Sequence, residues 1–83
     1  MKIFYFAWLR ERLNRGEEEV HPPAEVQTVD DLMSWLSERD EAIALAFEKR
    51  SLFRAAVDAR MATPDASIAG AQVVAFLPPM TGG

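Results

Sequence analysis

The sequence predicts an α+β fold in which one sheet carries helices on a single face. Three features lead there: short apolar runs near both ends, Lys2 to Leu9 and Gln72 to Leu77; an amphipathic helix with a clear start at Thr28; and a hairpin pattern around Asp58-Ala59. The 83 residues make one domain, close to the lower limit for a core without staples, and the 49% apolar share is enough to fill that core. The domain is placed at 1–77 and an extended tail at 78–83.

The first run alternates Ile3, Tyr5, Ala7 and Leu9 with Phe4, Phe6 and Trp8, so a strand over Lys2 to Leu9 is apolar on both sides. So small a chain can hardly cover both faces, and one is expected to be reserved for a partner. Arg10 to Asn14 reads as a polar turn or helical piece stopped by Gly16. Glu17 to Val20 reads as a second strand, which His21-Pro22-Pro23 confines to an edge. Its three glutamates form either a solvated face or a contact for a basic partner.

Thr28-Val29-Asp30-Asp31 fits a capping box, with aspartates at the positive end of the helix dipole. Val29, Leu32, Met33 and Leu36 follow at helical spacing and form one apolar stripe. After a break at Ser37 to Asp40, a second helical piece starts at Asp40-Glu41 and carries Ala42, Ile43, Ala46 and Phe47, with Lys49 and Arg50 at its end. Phe53 to Val57 and Arg60 to Ala62 then read as strands. A two-residue turn at Asp58-Ala59 sets Val57 opposite Arg60 and Ala56 opposite Met61, although the Gly favoured at the second turn position is missing. Pro64-Asp65 and Ala69-Gly70 punctuate a loop before the last strand, in which Val74 and Phe76 share one side and Val73, Ala75 and Leu77 the other.

Composition excludes several function classes. Cysteine is absent, which removes disulfides and side-chain thiol chemistry. A net charge of -4 with no Lys/Arg run argues against nucleic acid. The opening run is too short to span a membrane and lacks a signal-peptide cleavage pattern, so a cytoplasmic protein is expected. The single histidine, His21, has no converging ligands for a metal and reads as a surface residue. Neither the serines nor the lone Gly70 have the spacing of a nucleophilic triad or a phosphate loop. No self-contained active site emerges, and no cofactor is expected on the chain itself.

What remains is the end of the sequence, Phe76-Leu77-Pro78-Pro79-Met80-Thr81-Gly82-Gly83. Pro78-Pro79 fixes φ and favours an extended exit from the last strand. Six residues from Pro78 reach at most roughly 20 Å. Gly82-Gly83, without Cβ atoms, can enter a slot too narrow for other residues. The Gly83 carboxylate is a poor electrophile until a partner activates it as an anhydride, after which a sulfur or amine nucleophile can attack. A simply frayed terminus is the plain alternative.

This tail resembles the terminal signature of the small subunits of molybdopterin synthases, ubiquitin-like β-grasp sulfur carriers. Ile3-Phe4-Tyr5-Phe6-Ala7 with Arg10-Glu11 is similar to that family's first strand, Thr28-Val29-Asp30-Asp31-Leu32 to its helix start, and Asp65 through Gly70 to Val74 to its approach to the last strand. The resemblance implies a mixed sheet with helices packed on one face. It implies that an E1-like enzyme uses ATP to adenylate Gly83, that a sulfur donor converts it to a thiocarboxylate, and that Pro78, Pro79, Met80, Thr81 and Gly82 carry it into the large subunit of molybdopterin synthase. There it would give sulfur to cyclic pyranopterin monophosphate, within a heterotetramer of two small and two large subunits whose large subunits supply the catalytic side chains. The partner-binding patch implied by the family falls on Phe6, Met61 and Leu77. Two departures stand out: Asp58-Ala59 replaces an Asn-containing turn, and Trp8 occupies a place where polar residues are frequent, neither expected to touch the tail. A thiamine-type sulfur carrier is the rival with the same chemistry, although its chains are usually shorter and lack the Pro-Pro-x-Thr pattern. A ubiquitin-like docking module whose tail is never activated is the rival of another class.

Overall fold

The computed structural model describes residues 1–80. Along the chain come β1 (Lys2–Tyr5), α1 (Ala7–Leu13), β2 (Glu17–Glu19), α2 (Val29–Arg39), α3 (Glu41–Ala46), a 3-10 segment (Phe47–Leu52), β3 (Arg54–Val57), β4 (Arg60–Ala62) and β5 (Val73–Leu77). The strands form one sheet in the order β2-β1-β5-β3-β4. The first and last strands pair in parallel at its centre, with Tyr5 beside Phe76, and the other pairings are antiparallel. This is the β-grasp, ubiquitin-like architecture.

The core lies between one sheet face and the helices. Ile3, Tyr5, Ala55, Val74 and Phe76 point into it from the strands, and Leu9, Leu13, Leu32, Leu36 and Ile43 meet them from α1, α2 and α3. All four residues of the predicted α2 stripe are buried. The capping box forms as expected: Thr28 Oγ1 accepts from the Asp31 N–H, and the Asp31 carboxylate accepts from the Thr28 N–H. Asp40 ends α2 and caps α3, with Oδ1 accepting from the N–H groups of Ala42 at 2.8 Å and Ile43 at 3.3 Å. The helical path therefore breaks at Asp40, not over the four residues from Ser37.

The amino end departs from expectation. β1 stops at Tyr5 instead of running to Leu9, and the residues that follow are helical. Phe6 is still extended, Ala7 takes a positive φ of 52°, and the chain then turns into α1. Ala7 is exposed, and Leu9 reaches the core from the helix together with Leu13 at i+4, not from a strand. The helix ends at Asn14 in the left-handed region, φ 56°, whose N–H bonds back to the carbonyls of Arg10 and Glu11, so Asn14 performs the stop assigned to Gly16.

The hairpin follows the expected register, Val57 opposite Arg60 and Ala56 opposite Met61. Both turn residues have positive φ, 47° at Asp58 and 70° at Ala59, as a type I′ connection requires. Asp58 tolerates this conformation and uses its carboxylate to accept the N–H groups of Gln72 and Val73, each at 3.0 Å, which ties the turn to the start of β5. Ala59 has no such compensation. Ala59→Gly should therefore stabilise the protein by about 0.5 to 1 kcal/mol, read as a higher urea midpoint with an unchanged slope.

A polar joint fastens β1, β2 and the start of α3 together through Arg15 in the loop after α1. The Tyr5 hydroxyl donates to Glu18, and Arg15 bridges Glu18 at 3.3 Å and Asp40 at 2.6 Å. Burial, reinforced by the Glu18 carboxylate, pushes the Tyr5 hydroxyl well above its ordinary value. The Arg15 hydrogen bond holds the Asp40 carboxyl below its ordinary 3.8, with help from the α3 N–H groups and against a smaller desolvation effect. A carboxyl depressed by folding adds stability above its unfolded value and loses that contribution as pH falls through the folded value. Stability should therefore decline as pH drops below about 4, and Asp40→Asn should flatten this decline. Asp40→Ala, which also loses the cap, should cost about 1 kcal/mol or more at neutral pH, and Asp40→Asn less. Denaturant titrations across the acid range check both.

Candidate functional site

Two features stand apart from the core: the sheet face opposite the helices and the exit of β5. On the open face, register aligns Glu17, Phe4, Ala75, Ala56 and Met61 in one row across all five strands. Beside that row Phe6 stacks on Phe4, with ring centroids 6.1 Å apart, and Leu77 lies next to Phe6 on the neighbouring strand. Phe6 is 46% exposed and Met61 62%, while Leu77 and Phe4 are half-buried. The three residues assigned to the partner patch thus lie on one uncovered face, Phe6 and Leu77 at the end of the sheet where the tail leaves and Met61 on the edge strand β4 opposite Ala56. Lys2, paired with Glu17 at 3.2 Å, marks one margin and Arg54, opposite Leu77, the other. An apolar centre with charged margins has the make-up of a protein-docking surface.

The tail starts where β5 ends at Leu77. Pro78 and Pro79 are half-buried and Met80 is 99% exposed. Gly83, to which the chemistry was assigned, and Thr81 and Gly82 of the inserting tail lie outside the described residues. Contrary to expectation, Trp8 does touch the tail: its Nε1–H donates to the Pro79 carbonyl at 2.8 Å. Trp8 also meets Phe53 edge-on at 5.7 Å, and the Arg12 guanidinium sits 4.7 Å from its ring centre. These side chains, with Leu45 and Leu52, line a cleft of about 460 Å³ at the base of the tail. The sequence reading missed Trp8 because it placed the residue on a strand; the Leu9–Leu13 spacing was the signal that a helix presents it instead.

Other candidates are not brought together. His21 is exposed on the loop after β2. Among the described residues no group of three His, Cys, Asp or Glu side chains is placed to hold a metal ion, and no helix is long and apolar enough to cross a membrane. The groups with shifted titration, Tyr5, Arg15, Glu19 and Asp40, belong to ion pairs and hydrogen bonds that hold the fold together.

Comparison with known proteins decides the family. The ThiS family profile matches residues 3–83. The chain belongs to the ThiS family. It is 34% identical over 83 residues to the molybdopterin synthase sulfur carrier subunit of Escherichia coli (strain K12), covering all of this chain and 99% of that one. A Pyrococcus furiosus protein provisionally called molybdopterin converting factor, subunit 1, has a similar structure, with a TM-score of 0.68 and 26% identity over 95% of both chains. SAMP1 from Haloferax volcanii, at 21% identity, shares the fold with a TM-score of 0.74 over 99% of this chain and 97% of its own. The ThiS-family chain thus has the fold and the kinship that its tail and helix start suggested.

Proposed function

We propose that this chain is the sulfur carrier subunit of a molybdopterin synthase. The observation that carries the reading is the full-length 34% identity to a protein of that name, supported by a family profile whose match extends to Gly83. In this reading the Gly83 carboxylate attacks the α-phosphorus of ATP on an E1-like enzyme, and pyrophosphate leaves. Hydrosulfide delivered by the donor then attacks the acyl carbon, AMP leaves with its electron pair, and loss of the sulfur-bound proton to solvent gives the thiocarboxylate. Pro78 to Gly82 deliver that group into the large subunit, where it passes sulfur to cyclic pyranopterin monophosphate. The chain supplies the acyl group and its reach; the partners supply acid–base residues and nucleotide binding.

The open face is the proposed docking surface for the large subunit, with Phe6, Met61 and Leu77 among its contacts. Its position supports this, because a partner seated there has the tail leaving along its edge. Intact-mass measurement after incubation with ATP and a lysate of the source cells tests the carrier. The expected result is a gain equal to replacement of one oxygen by sulfur, lost when Gly83 is deleted. An unchanged mass, in a lysate that charges another carrier of this kind, refutes the reading and favours a docking module.

Met61→Glu places a charge on an exposed residue of the apolar patch. It should leave the unfolding midpoint nearly unchanged and weaken binding to the large subunit by about tenfold or more, measured by titration calorimetry.

A further inference from the structure

We infer that Trp8 is a positioning residue that aims the tail, an inference that rests on the carrier reading for its consequence but not for its geometry. Parallel pairing brings the ends of β1 and β5 out at the same end of the sheet, where the Phe6 N–H donates to the Phe76 carbonyl at 3.2 Å. The positive φ at Ala7 then swings the chain into α1, so that Trp8 faces the residues leaving β5. Pro78 and Pro79 have no N–H, so their backbone offers only carbonyls for hydrogen bonding. The indole, a donor without acceptors, is matched to that chemistry.

The bond at 2.8 Å holds the chain two residues beyond the end of β5. The indole itself is braced by the Phe53 ring at its edge and the Arg12 guanidinium over its face. Behind Phe53 stand Phe47, 5.0 Å away, and then Phe76, 5.3 Å from Phe47, so the brace is continuous with the core. Holding Pro79 leaves four residues, Met80 to Gly83, to span the distance into a partner. They reach at most roughly 14 Å, against roughly 20 Å for a tail hinged at Leu77. A partner that takes the tail along this direction therefore has less chain to order.

The test compares the full chain with Trp8→Phe, which keeps an aromatic ring against Phe53 but has no N–H, and with Trp8→Leu as a second variant lacking a donor. In the wild type the Trp8 indole proton should exchange more slowly than that of Trp35. In either variant the backbone amide of Met80 should show a lower order parameter while the melting curve stays cooperative. In charging assays with the activating enzyme and ATP, KM should rise roughly fivefold with kcat unchanged, the fold-change expected for one net hydrogen bond. An unchanged Met80 order parameter or an unchanged KM overturns the inference. A wild-type chain that is never charged refutes the carrier reading instead, and the relaxation and exchange measurements then decide the positioning role alone.

Discussion

The parallel pairing of β1 with β5 is the constraint on which the rest of the molecule depends. Two parallel strands cannot be joined by a tight turn, so all the chain between Tyr5 and Val73 must cross over, and the crossover supplies the helices that cover one face. The pairing buries Ile3, Tyr5, Val74 and Phe76 at the centre of the sheet, against α2 and α3. It also makes the exits of the first and last strands neighbours. Phe6, Trp8, Leu77 and Pro79, far apart in sequence, become one local structure for that reason.

The same constraint divides the sheet into a covered and an open face. An 83-residue chain that spends its helices on one side has none for the other. Alternation along β1, β3 and β5 then leaves Phe4, Ala56, Ala75 and Leu77 on the uncovered side. Small residues occupy the middle of the row and larger ones its flanks, which gives a shallow apolar surface. Edge strands β2 and β4 are short, and β2 carries three glutamates, so sheet-to-sheet addition at that edge meets charge. The uncovered surface is thus open to docking by its face more than by its edges.

Much of this was legible in the sequence because local and global signals agreed. The α2 cap and stripe, the Asp40 start of α3, the 57–60 hairpin register and the two faces of β5 all follow from residue type and spacing. The stretch from Phe6 to Leu9 was not, and the reason is physical. Ala7 and Leu9 continue the parity of Ile3 and Tyr5, so a strand pattern runs on past the point where the backbone turns. The turn depends on a left-handed Ala7, which no propensity favours. Once β1 was extended too far, Trp8 fell on the wrong element, and its bond to Pro79, 71 residues away, had no sequence signal at all. Phe6, Met61 and Leu77 came from kinship; alternation alone cannot tell an open apolar face from a covered one.

The shifted titrations among the described residues serve the fold. Perturbed groups often mark sites of proton transfer, but each one here has a structural reason. Tyr5 is shifted by burial and by Glu18, and Asp40 by Arg15 and the α3 N–H groups. Glu19, though exposed, is lowered by the hydrogen bond from the N-terminal ammonium. None of these hydrogen bonds reaches the tail, whose base is held instead by an indole that neither gains nor loses a proton near neutral pH. A holder of that kind fixes direction without taking part in acid–base chemistry. On the proposed carrier reading, activating the carboxylate and substituting it with sulfur need charge stabilisation that these structural groups do not supply, and the proteins that receive the tail would have to provide it.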